Sequence, residues 1–281
     1  MFEEILQNVA AKAPLVHCIT NYVTVNDCAN ILLACGGSPI MADDENEVEE
    51  ITSICNALVL NIGTLNTRTI ESMRRAGLRA NALGHPVVFD PVGAGASALR
   101  TGTAQSLLRD VRFCVVRGNS SEIRTLARGA GTTRGVDADA ADAATEQTLD
   151  DAVLFVKTFS RQTGAVVAMT GAVVAMTGAI DLVGDAETCY IIRNGCPEMG
   201  KITGTGCMLT AVTAAWCAAN PDHPLDAAAA AVAAMGLCGE LAHARAQAAG
   251  GGTGTLRMAL IDAMSRLDAE TLNRGIRIES R

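Results

Sequence analysis

The sequence predicts an α/β fold: a mostly parallel central sheet with helices on both faces. Three observations carry this. Short apolar runs of strand length alternate with helical segments, roughly every 25–30 residues, as in successive βα units. Half the residues are hydrophobic (49%) but only 3% are aromatic, so the core is built from Ala, Val and Leu, as in sheets buried on both sides. The expected strand ends carry polar residues, where an open parallel sheet collects its chemistry.

In order, residues 2–12 have the spacing of a short amphipathic helix. Pro14 to Asn21 is an apolar strand ending in Thr20 and Asn21. Residues 22–35 return to helical periodicity (Val25, Cys28, Ala29, Leu32) and stop at Gly36-Gly37. Ser38 to Ala42 is short and extended, and the acidic run Asp43 to Glu50 leads into another helix. Ala57 to Gly63 is a buried strand followed by a helix over 67–82; Pro86 to Gly93 and Cys114 to Asn119 are the next strands. Gly129 to Ala144 reads as a surface loop entering a helix over 146–162. An Ala-rich helix from Leu225 to Ala248 and a last helix over 255–268 close the fold, with Gly250 to Gly254 as connector. No linker divides the chain, so residues 1–281 form one expected domain.

Composition excludes several roles. A net charge of −8 without a basic stripe argues against nucleic-acid binding. No apolar run reads as a membrane span free of small or polar breaks, and Met1-Phe2-Glu3-Glu4 lacks a secretory signature. Ten dispersed cysteines, mostly inside apolar stretches, indicate a reducing cytoplasm, and four scattered histidines offer no zinc-ligand spacing.

The chain is organised around Lys201 to Thr210. Gly204-Thr205-Gly206-Cys207 feeds an apolar helical run, so unpaired amides and the positive end of a helix dipole face one way, a site for phosphate. Cys207 falls in the first turn, where a thiol pKa is expected to drop. Asp90 and Glu122 are candidates to hold a hydrated Mg²⁺, with a strand-end N-cap acid and a first-turn helix acid as the plainer alternatives. Arg117 is a candidate partner for phosphate oxygens.

One feature is unusual. Thr163 to Met169 (TGAVVAM) is followed at once by an identical Thr170 to Met176. Only one copy can occupy a given place in the sheet, and a one-residue slip would turn every side chain to the other face. The second copy, Ala172 to Thr177, is the expected strand. The first would lengthen the preceding helix by two turns, at the base of the sheet.

Pro14 to Asn21, Gly37 to Met41, Asn61 to Leu65, Asp90 to Ala94, Arg117 to Glu122 and Gly204 to Cys207 together resemble the hydroxyethylthiazole kinases, a family of the ribokinase-like superfamily. The resemblance runs in order along nearly the whole chain. It implies a ribokinase-like three-layer sandwich without a separate lid domain, and ATP-dependent, Mg²⁺-requiring phosphorylation of 4-methyl-5-(2-hydroxyethyl)thiazole. It also implies a cytoplasmic homotrimer with active sites between subunits. Carried over by position, Met41, Gly204 and Asn21 lie at the substrate. Arg117, Thr177 and Asn119 lie at ATP, Asp90 and Glu122 near the metal, and Gly204, Gly206 and Cys207 at the reacting centre. Related kinases carry Asp where this chain has Cys207; a thiol is the poorer base, so slow turnover is expected. The alternatives are a nucleotide-binding protein impaired by the repeat, and a hydroxymethylpyrimidine- or pyridoxine-type kinase.

Overall fold

The computed structural model describes residues 2–128, 144–163 and 172–281. In chain order the elements begin α1 (Glu3–Lys12), β1 (Leu15–Ile19), α2 (Val25–Ala34), β2 (Ser38–Ile40), α3 (Val48–Ile54) and β3 (Ala57–Asn61). They continue α4 (Thr67–Leu83), β4 (Val87–Asp90), α5 (Ala98–Asp110), β5 (Val115–Asn119), α6 (Ser120–Arg128) and α7 (Leu149–Thr163). Then follow β6 (Val173–Thr177), β7 (Asp181–Gly184), β8 (Cys189–Ile192), a 3-10 turn (Pro197–Lys201), α8 (Thr205–Ala219) and α9 (Pro224–Ala248). The chain ends with α10 (Thr253–Ser265), α11 (Ala269–Gly275) and β9 (Ile278–Ser280).

Among the described residues nine strands form one sheet in the order β2-β1-β3-β4-β5-β6-β7-β8-β9. From β2 through β6 every pairing is parallel; from β6 to β9 every pairing is antiparallel. Alternation along each strand sorts the side chains into two cores. Val16, Ala57, Val59, Val88, Val115, Val173 and Ala175 face α1, α2, α8, α9 and α10. Leu58, Leu60, Phe89, Val116, Val174 and Met176 face α3 to α7. The smaller strand residues thus meet α8 and α9, themselves rich in Ala, so these helices pack close to the sheet; the larger ones fill the opposite layer. This is the expected three-layer sandwich.

The second copy of the repeat is the strand. β6 runs in register with β5, with Val115 opposite Val173 and Asn119 opposite Thr177. Thr177 therefore stands at the carboxyl end of the sheet. Thr163, which opens the first copy, and Ala172, in the second just before β6, line a cavity at the opposite end with Pro86 and Cys114. The expected helical extension over the first copy, and the loop 129–143, lie outside the described residues.

Some expectations need correction. The helix over 255–268 is not the end: α11 follows, and β9 adds to the sheet beside β8. β7, β8 and β9 were not anticipated, because at three or four residues they are too short for a periodic signal. α5 was missed for a related reason: its buried residues Thr103, Ala104 and Leu107 leave almost no apolar stripe. α9 is by length and composition apolar enough to cross a membrane, although small residues interrupt it throughout, and 78% of its most apolar window is buried inside the fold.

Candidate active site

Four parallel strands deliver polar side chains to one point at the sheet's carboxyl end. Asn21 follows β1, Asn61 and Asp90 end β3 and β4, and Arg117 comes from β5. Hydrogen bonds and one ion pair join them into a single network. Asn21 Nδ2 donates to Asn61 Oδ1 at 3.0 Å, and Asn61 Nδ2 donates to Asp90 Oδ2 at 2.9 Å. Thr210 Oγ1, from the second turn of α8, donates to the same Asp90 oxygen at 2.7 Å, and Arg117 Nη1 stands 3.6 Å from it. Asp90 is wholly buried, and its other oxygen, Oδ1, has no hydrogen-bond partner among the described residues. A buried carboxylate oxygen left over is costly unless something cationic or protic meets it.

α8 arrives at this network by its amino end. Gly204 takes the left-handed conformation (φ 86°), and a Cβ there would press on Thr24 Cβ at 2.9 Å. The first helical hydrogen bond is from Met208 N–H to the Gly204 carbonyl, so the amides of Thr205, Gly206 and Cys207 form the open end. Gly206 lies flat against Arg117: a Cβ would stand 3.0 Å from the guanidinium carbon. Arg117 then reaches on to Thr177, donating from Nη2 to Oγ1 at 2.8 Å, while Thr177 Oγ1 donates to the Gly118 carbonyl at 3.3 Å.

Cys207 does not have the lowered pKa expected of a first-turn thiol. Burial pushes it up, and the neighbouring Asp90 charge pushes the same way. Desolvation outweighs the helix dipole here, so the group is a neutral thiol. Its sulfur accepts from both Asn21 Nδ2 and Asn61 Nδ2, each at 3.3 Å.

Glu122 fills the plainer of the two roles considered for it, the first-turn helix acid. It forms a reciprocal cap at the start of α6: Asn119 Oδ1 accepts from Glu122 N–H at 2.9 Å, and Glu122 Oε2 accepts from Asn119 N–H at 2.8 Å. Its second oxygen accepts from Gly93 N–H at 2.7 Å, tying α6 to the turn after β4. Burial, then the charge of Asp90, raises its pKa to about 7. Asp90 is itself shifted upward by burial, against the opposing pull of Arg117, Thr210 and Asn61. Two buried carboxylates facing one guanidinium leave negative charge that a cation would neutralise.

Met41 stands apart from this network. It follows β2, at the far edge of the parallel strands, partly buried against the helices of the small-residue layer. A residue that sequence reasoning missed holds its loop. His17, buried in β1, bonds through Nε2 to the Ala42 carbonyl at 2.8 Å and through Nδ1 to Thr52 Oγ1 at 2.9 Å. A carbonyl only accepts, so Nε2 carries the proton and Nδ1 accepts from the threonine. Burial lowers the His17 pKa, consistent with a neutral ring.

Beyond Arg117 and Thr177 the site opens into a cleft of about 540 Å³, also lined by Asn119, Asp181, Asn194 and Gly206. Asp181 and Asn194 were not anticipated, since Asp181 opens and Asn194 follows a strand that left no signal in the sequence. Thr210 had one, standing four residues beyond Gly206 on the same helical face. Cys196, Glu198 and His243, which have no ligand spacing in the sequence, bring ligand atoms within 4.8 Å of one another in the fold.

Comparison with known proteins places this geometry. The model of the hydroxyethylthiazole kinase family matches residues 6–270. A hydroxyethylthiazole kinase from Clostridium acetobutylicum is 56% identical over 280 residues, covering 100% of both chains. The solved structure of a hydroxyethylthiazole kinase protein from Pyrococcus horikoshii OT3 superposes with a TM-score of 0.87 at 34% identity, over 100% of this chain and 98% of its own. A pyridoxal kinase from Staphylococcus aureus, solved with ADP, reaches a TM-score of 0.59 at 17% identity over 95% of this chain and 97% of its own, a likeness of fold alone. With a family model spanning nearly its full length and a relative identical at more than half its positions, the chain belongs to the hydroxyethylthiazole kinase family.

Proposed function

We propose that this chain transfers the γ-phosphoryl group of ATP to the hydroxyl of 4-methyl-5-(2-hydroxyethyl)thiazole, a step of thiamine biosynthesis. The observation that carries the reading is the meeting of the buried Asp90 network with the open amino end of α8. Phosphoryl transfer asks little covalent chemistry of the protein and much positioning of charge, which such a junction provides.

The cleft beside Thr177 and Asn119 receives ATP, with Arg117 turning from Thr177 and Asp90 toward phosphate oxygens. The amides of Thr205, Gly206 and Cys207 accept charge developing on the transferred group. The unpartnered Asp90 Oδ1 and the raised pKa of Glu122 fit a hydrated Mg²⁺, which supplies charge neutralisation at the phosphates when bound. Asn21, Met41 and Gly204 border the thiazole, and the acceptor hydroxyl lies near the Cys207 sulfur.

A neutral thiol accepts a proton poorly, so Cys207 orients the hydroxyl rather than ionising it. The hydroxyl proton leaves late, as the phosphorus–oxygen bond forms, and passes to solvent while ADP departs. This supports a slow enzyme whose rate rests on alignment.

All nine strands lie in one sheet, which supports a single kinase domain over 1–281. Tyr22 (79% exposed) and Val23 follow Asn21 directly in the chain and Leu33 is exposed further along α2, exposed apolar side chains that support a homotrimer with sites between subunits. Ten free cysteines support a cytoplasmic location.

The test is ADP release coupled to a detecting enzyme, with ATP, Mg²⁺ and the thiazole alcohol. Thiazole-dependent release is expected. ADP release that ignores the thiazole but follows pyridoxal or hydroxymethylpyrimidine would move the chain to the rival kinase class. ATP binding with no acceptor turned over would make it a nucleotide-binding protein.

A further inference from the structure

A second cluster of reactive side chains sits on the outer wall of the cleft, away from Asp90. After β8 the chain turns at Gly195 (φ 125°), and Cys196 is extended before Pro197 opens the 3-10 turn. Two glycines of α9 receive this turn. A Cβ on Gly236 would meet the Asn194 backbone at 2.7 Å, and one on Gly239 would run into the Met199 side chain. This close approach brings the Cys196 thiol to the Gly239 carbonyl at 3.6 Å. His243 lies one turn further along the same face of α9, with Nε2 3.8 Å from Glu198 Oε2.

We propose that Cys196, Glu198 and His243 form a binding site for a borderline-soft divalent cation of the Zn²⁺ class. One sulfur, one carboxylate oxygen and one ring nitrogen already lie within 4.8 Å of one another. Tetrahedral zinc, with bonds of about 2.0–2.3 Å, needs donors about 3.3–3.8 Å apart. The Glu198–His243 pair meets that spacing, and the partly exposed side chains (33% and 27%) have room to close the rest. The Cys196 sulfur also meets the backbone of its own turn, with the Glu198 and Met199 amides and the Gly239 carbonyl as partners, and the amides favour its thiolate form. A thiolate–imidazole–carboxylate set selects Zn²⁺ or Co²⁺ and discriminates against Mg²⁺, so the site is chemically separate from the one proposed at Asp90 and Glu122. The fourth position is left to water. Binding displaces the Cys196 proton to solvent, and no electron changes hands. Because Cys196 and Met199 also line the cleft with Arg117 and Thr177, a bound ion fastens that wall to α9.

Titration of the metal-free full chain with Co²⁺ tests this without using turnover. The expected result is a thiolate-to-cobalt absorption band that saturates at one Co²⁺ per chain, is displaced by Zn²⁺, and survives excess Mg²⁺. Cys196→Ser should abolish the band, leaving nine other cysteines as an internal control. Glu198→Gln and His243→Ala should weaken Co²⁺ binding at least about tenfold. Circular dichroism of the metal-free variants verifies their folding, and His243→Ala, at a partly exposed helical position, keeps the test available should Cys196→Ser misfold. A band that persists in the folded Cys196→Ser chain, no band in the wild type, or displacement by Mg²⁺ would each overturn the assignment.

Discussion

The parallel and antiparallel halves of the sheet contribute different things to the same site. β1, β3, β4 and β5 end in side chains that bond to one another: Asn21, Asn61, Asp90 and Arg117. β7 runs the other way and β8 turns back again, and the two contribute walls, with Asp181 opening β7 and Asn194 following β8. Parallel strands all point their carboxyl ends to one rim, so charges accumulate there and must be neutralised jointly. Antiparallel strands return the chain to the rim by tight turns, which shape a cleft and carry little charge. Chemistry and shape are thereby separated along the sheet.

The sharpest challenge to that separation is Asp90→Asn. It should lower kcat by about 10²–10³-fold with ATP KM little changed, as expected for loss of a charge felt chiefly in the transition state. A variant that altered KM alone would merge the two halves. Gly236→Ala is the converse. Its new methyl pushes on the Asn194 backbone and should raise ATP KM by about tenfold while kcat holds, in line with the cost of displacing a binding wall. Steady-state kinetics in both substrates reads each outcome.

His17→Phe sharpens the comparison within the parallel half. It strands the Ala42 carbonyl and the Thr52 hydroxyl, and should cost about 1–3 kcal/mol of stability in chemical denaturation. The KM for the thiazole should rise, with ATP KM unchanged, since Met41 and not the cleft is loosened.

Glu122 supplies a pH signature. Its carboxyl titrates near 7 in the folded chain against an ordinary value of 4.5, so the native state binds more protons than the unfolded chain in that window. Stability should therefore fall as pH rises from about 4.5 through 7. Glu122→Gln should flatten that slope in urea titrations, whatever it does to absolute stability. Cys207→Asp should have the smallest effect on rate: no loss, or a modest gain. The amides of Asn21 and Asn61 already point at the position and would donate equally well to a carboxylate. A fall of several orders of magnitude would show that the thiol itself is required.

The two halves also differ in how legible they are. Asp90 and Asn61 end apolar runs long enough to identify as strands, so their arrival at one rim followed from the βα alternation. The bonds among them did not, because register and twist decide which strand ends meet. Glu122 matched a first-turn helix acid and a metal-site acid equally well, and the structure shows the first: its reciprocal cap with Asn119 holds the buried carboxylate beside Asp90. Cys207 misled because a helix terminus is visible in sequence and desolvation is not. Asp181 opens and Asn194 follows a four-residue strand, and Cys196 and His243 meet only because α9 has glycines facing a distant turn. Such encounters are set by tertiary packing and leave no local pattern.

The repeat at the seam of the two halves has a consequence for inheritance. The strand is taken from the last copy, with Thr177 fixed opposite Asn119, so the sheet in effect counts back from its carboxyl end. Further heptads added or removed upstream leave that count unchanged. A gene carrying this tract can therefore gain or lose units by replication slippage without selection at the catalytic rim, and lineages should differ in copy number while keeping Thr177 in place. Removing residues 163–169 is the laboratory equivalent, and ADP-release rates should then stay within about twofold of the parent, as for a change remote from the reacting groups.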